Sequence, residues 1–175
     1  MTEERIEAGL RNLFDGDFYS STQRDGEVYK GSPFIVEVGI AYGENIGSAD
    51  DQIDLRRFAN RVPLVYKQGA CSITSVTENI DWKNYKLKQS GGAGTLPRGN
   101  MALMVHIAST NVPFNGESKD SIAGPEVIEN EIERAIRSSA RDLKRYLKKQ
   151  RSIREKKRKR DTIGDVLPPM AQSLA

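Results

Sequence analysis

From Gly124–Pro125 onward nothing breaks a helix until about Arg160, and Ile128, Ile132, Ala135, Ile136, Ser139, Leu143, Tyr146 and Leu147 keep helical spacing. That is roughly 36 residues, or ~54 Å at the rise of an α-helix. Pro125 suits the first turn, where its missing N–H has no partner in any case. A helix of this length outruns any core that a chain of 175 residues can build, so part of it must act as a stalk. Gly164 and Pro168–Pro169 are expected to end it, leaving 161–175 as a loosely held tail.

Charge follows the same division. Between Arg141 and Arg160 there are 12 Lys/Arg against Asp142 and Glu155, a net +10, so the rest of a chain of net charge +3 carries −7. A mildly acidic body bearing a basic rod implies an acidic partner, either nucleic acid or protein. With 37% hydrophobic and 29% charged residues, the sequence supports a modest core plus segments held in water.

The body, 33–124, reads as a small sheet backed by helices. Phe34–Tyr42 is a strand with Phe34, Val36, Val38, Ile40 and Tyr42 on one face and Glu37 on the other. A second strand is expected over Leu55–Val65, with Pro63 marking an edge or a bulge. Ile73, Val76, Thr77 and Ile80 then form one apolar helical stripe within Ala70–Ile80. Ser90–Gly94 is a flexible loop, and Met101–Ala108 is a third strand. Before this body, 1–32 reads as a short helix (Ile6, Leu10, Leu13) and a polar connection. The order is β-β-α-β-α, without internal repeats.

Several function classes are set aside at this stage. No run of 18 apolar residues exists to span a membrane, and Met1–Leu10, with Glu3, Glu4 and Glu7, has no signal-peptide core. The single Cys71 excludes an internal disulfide and a cysteine-rich zinc site, and it fits a reducing cytosol. Gly91–Gly92–Ala93–Gly94 lacks the Lys-Ser/Thr and the strand-to-helix setting of a phosphate loop.

Six stretches, in order, carry a resemblance. They are Tyr29–Gly43 (YKGSPFIVEVGIAYG), Arg57–Leu64 (RFANRVPL), Gln68–Cys71 (QGAC), Trp82–Tyr85 (WKNY), Ala108–Phe114 (ASTNVPF) and Glu117–Lys119 (ESK). As an ordered set they resemble the topoisomerase VI B-subunit family of archaeal type IIB topoisomerases. The resemblance implies an α+β two-layer transducer domain like the second domain of ribosomal protein S5, carrying a long C-terminal stalk helix over 125–160. It further implies a cytoplasmic heterotetramer of two A and two B subunits, which passes one DNA duplex through another using ATP and magnesium. The partners would be DNA, the GHKL ATPase domain of the same subunit, and the A subunit. That ATPase domain would bind the nucleotide and metal. No matching nucleotide constellation occurs here and the cleavage tyrosine belongs to the A subunit, so this segment alone is expected neither to hydrolyse ATP nor to cut DNA.

Within that resemblance Lys119 matches a switch lysine that reaches the ATP γ-phosphate from a neighbouring domain; the plain alternative is a solvated loop lysine. A compact ammonium on a flexible stem suits such a role. Thr110 and Asn111 would support the loop, or merely cap a turn. Trp82, Lys83 and Tyr85 match a motif implicated in DNA contact, although a Trp at a helix end also serves as a core anchor. Lys148, Lys149 and Arg151 would grip the phosphate backbone, or form a solvated face. No metal ligands are expected, His106 reads as structural, and Glu37 has no evident partner. The alternative function is a stand-alone nucleic-acid-binding protein that uses the basic helix.

Overall fold

The computed structural model describes residues 2–174, with side-chain placement for 2–165. The elements are α1 (Glu3–Leu13), β1 (Phe18–Gln23), β2 (Glu27–Tyr29), β3 (Ser32–Tyr42), β4 (Asp54–Ala59), β5 (Val62–Pro63), α2 (Ser72–Asn79), β6 (Met101–Ser109) and α3 (Glu126–Leu174). Two short 3-10 turns, Gln68–Ala70 and Trp82–Tyr85, flank α2. The six strands form one sheet in the order β1-β3-β6-β4-β5, with β2 paired to β3. All pairs are antiparallel except β4 with β6, which run parallel and are joined through α2, as a parallel pair requires.

Strand alternation assigns the faces. Ser20, Val38 and Ile40 share a face with Leu103 and Val105 through the β1–β3–β6 register. On that face the Ser20 hydroxyl donates to Asp142 at 3.0 Å, and the Thr22 and Ser139 hydroxyls lie 2.8 Å apart. Both partners belong to α3, and Ser72 of α2 donates to Glu129 of α3 at 2.9 Å. The expected two layers are therefore this sheet face and the pair α2 and α3, enclosing the fully buried Ile40, Leu103, Ile73, Ile132 and Ile136. Arg24 adds a side lock. Its Nε donates to Glu131 at 2.8 Å, and with Arg134 at 3.0 Å it holds that carboxyl below the ordinary carboxylate range against the opposing effect of burial.

The opposite sheet face is not left to water. Ile6 and Leu10 of α1 pack there with Ala41, Ile46 and Ala102. Gly39 makes room for them, since a Cβ at this position would sit 2.7 Å from Leu10 Cδ1. Glu37 lies on this second face as expected, yet is buried, with His106 Nδ1 2.7 Å from its Oε2. The Arg61 backbone N–H donates to His106 Nε2 at 3.0 Å, so the neutral ring carries its proton on Nδ1 and donates it to Glu37.

Four expectations are corrected. The polar connection before Ser32 contains two strands, because Ser20 and Thr22 face α3 and exchange hydroxyl hydrogen bonds instead of apolar contacts. The expected strand Leu55–Val65 is a hairpin: Asn60 and Arg61, at φ 48° and 69°, make the two-residue turn whose left-handed geometry matches strand twist. Pro63 does lie on the sheet edge, in β5. The last helix continues past Arg160 to Leu174, through Gly164 and Pro168–Pro169. One Gly costs a helix only about 1 kcal/mol, whereas each interior proline costs about 3 kcal/mol, and nothing in the structure accounts for the helix running on through them. Lastly, the divisions at 32 and 124 give way to a compact unit, Met1–Leu143, and a second, Lys144–Ala175. The side chains of the expected tail beyond residue 165 lie outside the described residues.

Candidate functional site

The loop that carries Lys119 begins where β6 ends. Asn60, at the β4–β5 turn, clamps that end: its amide donates to the Ser109 carbonyl and its carbonyl accepts from the Ser109 N–H, both at 2.9 Å. Further on, Phe114 and Ile122 form an isolated antiparallel bridge that closes the loop at its base. The Asn115 side-chain amide donates to the Ala70 carbonyl at 2.7 Å and to the Ile122 carbonyl at 3.2 Å. Ile122 is wholly buried; its N–H donates to Cys71 Sγ at 3.4 Å, and its carbonyl accepts from the Ser72 N–H at 3.0 Å. The base of the loop is thus fastened to the start of α2.

Its tip is free of the core. Asn115 through Lys119 are exposed, and Lys119 is held at φ 53°, a left-handed conformation that non-glycine residues rarely adopt. Its N–H closes a turn on the Gly116 carbonyl at 3.2 Å. Lys67 reaches over the tip, donating to Ser118 Oγ at 3.1 Å and lying 3.5 Å from Asp120 Oδ2. An exposed ammonium on a left-handed turn with a fastened base is free to pair with an anion.

The support expected of Thr110 and Asn111 falls to other residues. Both are exposed, and the Asn111 N–H is used by Ser109 Oγ at 3.1 Å. Asn60, Lys67, Asn115 and Cys71 do this work. No local pattern marks Asn115, because its acceptors, the Ala70 and Ile122 carbonyls and Ser121 Oγ, are brought together only by the tertiary fold.

Trp82 is also corrected. It is 0% exposed and its indole N–H donates to the Thr77 carbonyl at 2.8 Å, so it offers no face for a base to stack on. It anchors the 3-10 turn after α2, with the Tyr85 ring edge-on at a centroid distance of 5.9 Å. Lys83 on the same turn is exposed and Tyr85 half-buried, which leaves them as the part of the motif open to a ligand.

In the second unit Lys148 and Lys149 are exposed, as is every residue from Arg151 to Asp165. Arg151 pairs with Glu155 one turn on, at 3.2 Å. Apart from that glutamate the face from Arg151 to Arg160 presents only basic and neutral side chains, an electrostatic surface suited to a polyanion. Among the described residues no group of three or more His, Cys, Asp or Glu could hold a metal ion, and no helix is long and apolar enough to cross a membrane.

The family described as "Topoisomerase VI B subunit, transducer" matches residues 1–159. The chain is similar to the B subunit of type 2 DNA topoisomerase 6 from Natronomonas pharaonis, at 48% identity over all of this chain and 22% of that protein. It is similar to the protein of the same name from Methanococcoides burtonii, at 51% identity over 99% of this chain and 27% of that one. The chain therefore spans about a quarter of the length of the curated relatives it matches. Among solved structures, the 43K ATPase domain of Thermus thermophilus gyrase B, in complex with an aminocoumarin, is similar at 16% identity. The match covers 90% of this chain and 46% of that one, and its TM-score of 0.43 is too low to decide fold or function.

Proposed function

The chain belongs to the topoisomerase VI B-subunit transducer family, and from that premise we propose that it couples ATP binding and hydrolysis to DNA gate opening in a type IIB topoisomerase. Lys119 touches the γ-phosphate held by the GHKL ATPase domain of the same subunit. The loop base relays the engaged or released state of that lysine into α2 and the sheet, and the long helix carries the motion onward to the A subunit. The enzyme is a cytoplasmic heterotetramer of two A and two B subunits that relaxes supercoils, and DNA meets Lys83, Tyr85 and the basic helix around Lys148, Lys149 and Arg151. ATP and magnesium belong to the ATPase domain. Lys119 offers the triphosphate a single cationic contact, and this segment alone neither hydrolyses ATP nor cuts DNA.

The observation that carries the proposal is the exposed, left-handed Lys119 on a loop whose base is pinned in the core. In the full-length B subunit, together with the A subunit, Lys119→Ala should lower ATP turnover and supercoil relaxation 100-fold or more, by about the factor for losing a charge aimed at a transferring phosphoryl group. Stability should change by no more than about 0.5 kcal/mol, as at a surface site. Wild-type relaxation by the variant would remove Lys119 from the mechanism. The exposed basic helix favours a second reading, a stand-alone nucleic-acid-binding protein. That reading predicts DNA binding with no capture of the A subunit.

A further inference from the structure

Lys119 stands between two residues that a second lysine holds. Lys67 donates to the Ser118 hydroxyl on one side and lies 3.5 Å from the Asp120 carboxylate on the other, so it spans the position of Lys119. Its own backbone is fixed from the core. Arg57 of β4, 3% exposed, donates through Nη2 to the Leu64 carbonyl at 2.8 Å and to the Tyr66 carbonyl at 3.1 Å. Lys67 then turns in the left-handed region at φ 51°, where its carbonyl accepts from the Ala70 N–H at 3.1 Å. A continuous path therefore runs from the sheet through Arg57 and the 64–67 segment to the tip of the Lys119 loop.

The charges give this contact a second effect. Glu117 and Asp120 flank Lys119 in the sequence and would repel an approaching polyphosphate. Lys67 offsets the nearer carboxylate, which would otherwise be free to pair with the Lys119 ammonium and draw it away from a phosphate. Asp120 is well shielded, its side chain 22% exposed, whereas the Lys67 side chain is 58% exposed. The bond thus serves orientation, since a pair this open contributes little to stability.

We propose that Lys67 is a positioning residue for Lys119, fixing the loop tip through Ser118 and masking Asp120, so that the Lys119 ammonium is presented to the phosphate. The inference rests on the functional reading above. It is tested in the full-length B subunit with DNA and the A subunit, using Lys67→Met, which keeps the stem and removes the donors and charge. We expect kcat for ATP hydrolysis to fall about tenfold, as for a misplaced catalytic group, with the KM for ATP within about twofold of the parent. Lys67→Arg should recover most of the rate. Asp120→Asn should lower kcat less, and the double variant Lys67→Met/Asp120→Asn should fall short of the product of the two effects, because they share one interaction. Independently of catalysis, amide hydrogen exchange of residues 116–120 should quicken in Lys67→Met. Unchanged exchange, parental kcat in Lys67→Met, equal impairment of Lys67→Arg, or strict additivity with Asp120→Asn would each overturn the inference. Lys119→Ala, run in parallel, separates the two levels. If it abolishes turnover while Lys67→Met keeps the parental kcat, the positioning role alone fails; if it is silent, the functional reading beneath it fails.

Discussion

Trp82→Ala asks whether the WKNY turn is chiefly a core anchor or a DNA contact. The side chain is entirely buried. Burying an aromatic of this size removes ~200 Å² from water, worth ~5 kcal/mol at ~25 cal/mol per Å². Large aromatic truncations in cores cost about 3–5 kcal/mol once partial collapse is allowed for. The lost indole bond leaves the Thr77 carbonyl without its 2.8 Å partner, a further ~1 kcal/mol. The turn is braced by Gln89, which accepts from the Trp82 N–H at 3.1 Å and donates to the carbonyls of Glu78, Ile80 and Thr95, so collapse into the cavity is restricted. A loss of ~4 kcal/mol follows, and with a urea dependence near 2 kcal/mol per molar the midpoint should drop by ~2 M. Trp82 is the only tryptophan, so far-UV circular dichroism must replace fluorescence. Trp82→Phe should lose roughly half as much, keeping most of the area but not the donor. A loss below ~1 kcal/mol accompanied by weakened DNA binding would refute the reasoning and return Trp82 to the DNA surface.

Charge reversal at Lys148, Lys149 and Arg151 should weaken binding to unrelated duplexes alike. It should also flatten the plot of log affinity against log salt by roughly 0.9 for each phosphate no longer neutralised, measured by fluorescence anisotropy. An untouched isotherm with lost capture of the A subunit would make the helix a protein-docking element. Gly39→Ala should press a methyl against Leu10 and Ile6 and cost about 1–3 kcal/mol by overpacking, seen as early loss of protection in α1 by hydrogen exchange. Glu131, held low chiefly by its hydrogen bond from Arg24, contributes stability above the ordinary carboxylate range that is lost as pH falls through its depressed folded value. Glu131→Gln should therefore flatten the acid limb of the stability–pH curve, and an unchanged limb would show that the Arg24 contact does not matter to folding.

Periodicity found those elements whose apolar residues repeat with the period of the element. β3, α2, β6 and the long helix are legible for this reason, and the ordered motifs supplied the family. β1 was not legible, because its inward residues Ser20 and Thr22 reach α3 by hydroxyl bonds and leave no apolar alternation in the sequence. Glu37 and His106 looked unrelated at 69 residues apart, and only the β3–β6 register sets them opposite each other. The Lys119 loop was visible as a motif, but its anchors were not. Asn60, Lys67 and Cys71 reach it from the β4–β5 turn and the approach to α2, which no local pattern connects to residues 109–122. Trp82 was legible as an aromatic beside a lysine, and only its burial decides between stacking and packing.

The order of strands has a consequence for synthesis. β6 is made last yet lies between β3 and β4, which are therefore both edges until it arrives. Tyr42, already opposite Phe18 of β1, must wait for Met101 to leave the ribosome before its β6 side is paired. Until then the nascent chain carries Val36, Val38 and Ile40 on a strand paired only to β1 and β2, its other edge open as a template on which other chains pair. The β4–β5 hairpin, closed by a two-residue turn, can form early, whereas the centre of the sheet must pay a long loop closure first. A pause in translation between Asp54 and Met101 would prolong this exposed state, and crowding by neighbouring nascent chains would turn it into aggregation before any contact of the finished sheet could oppose it.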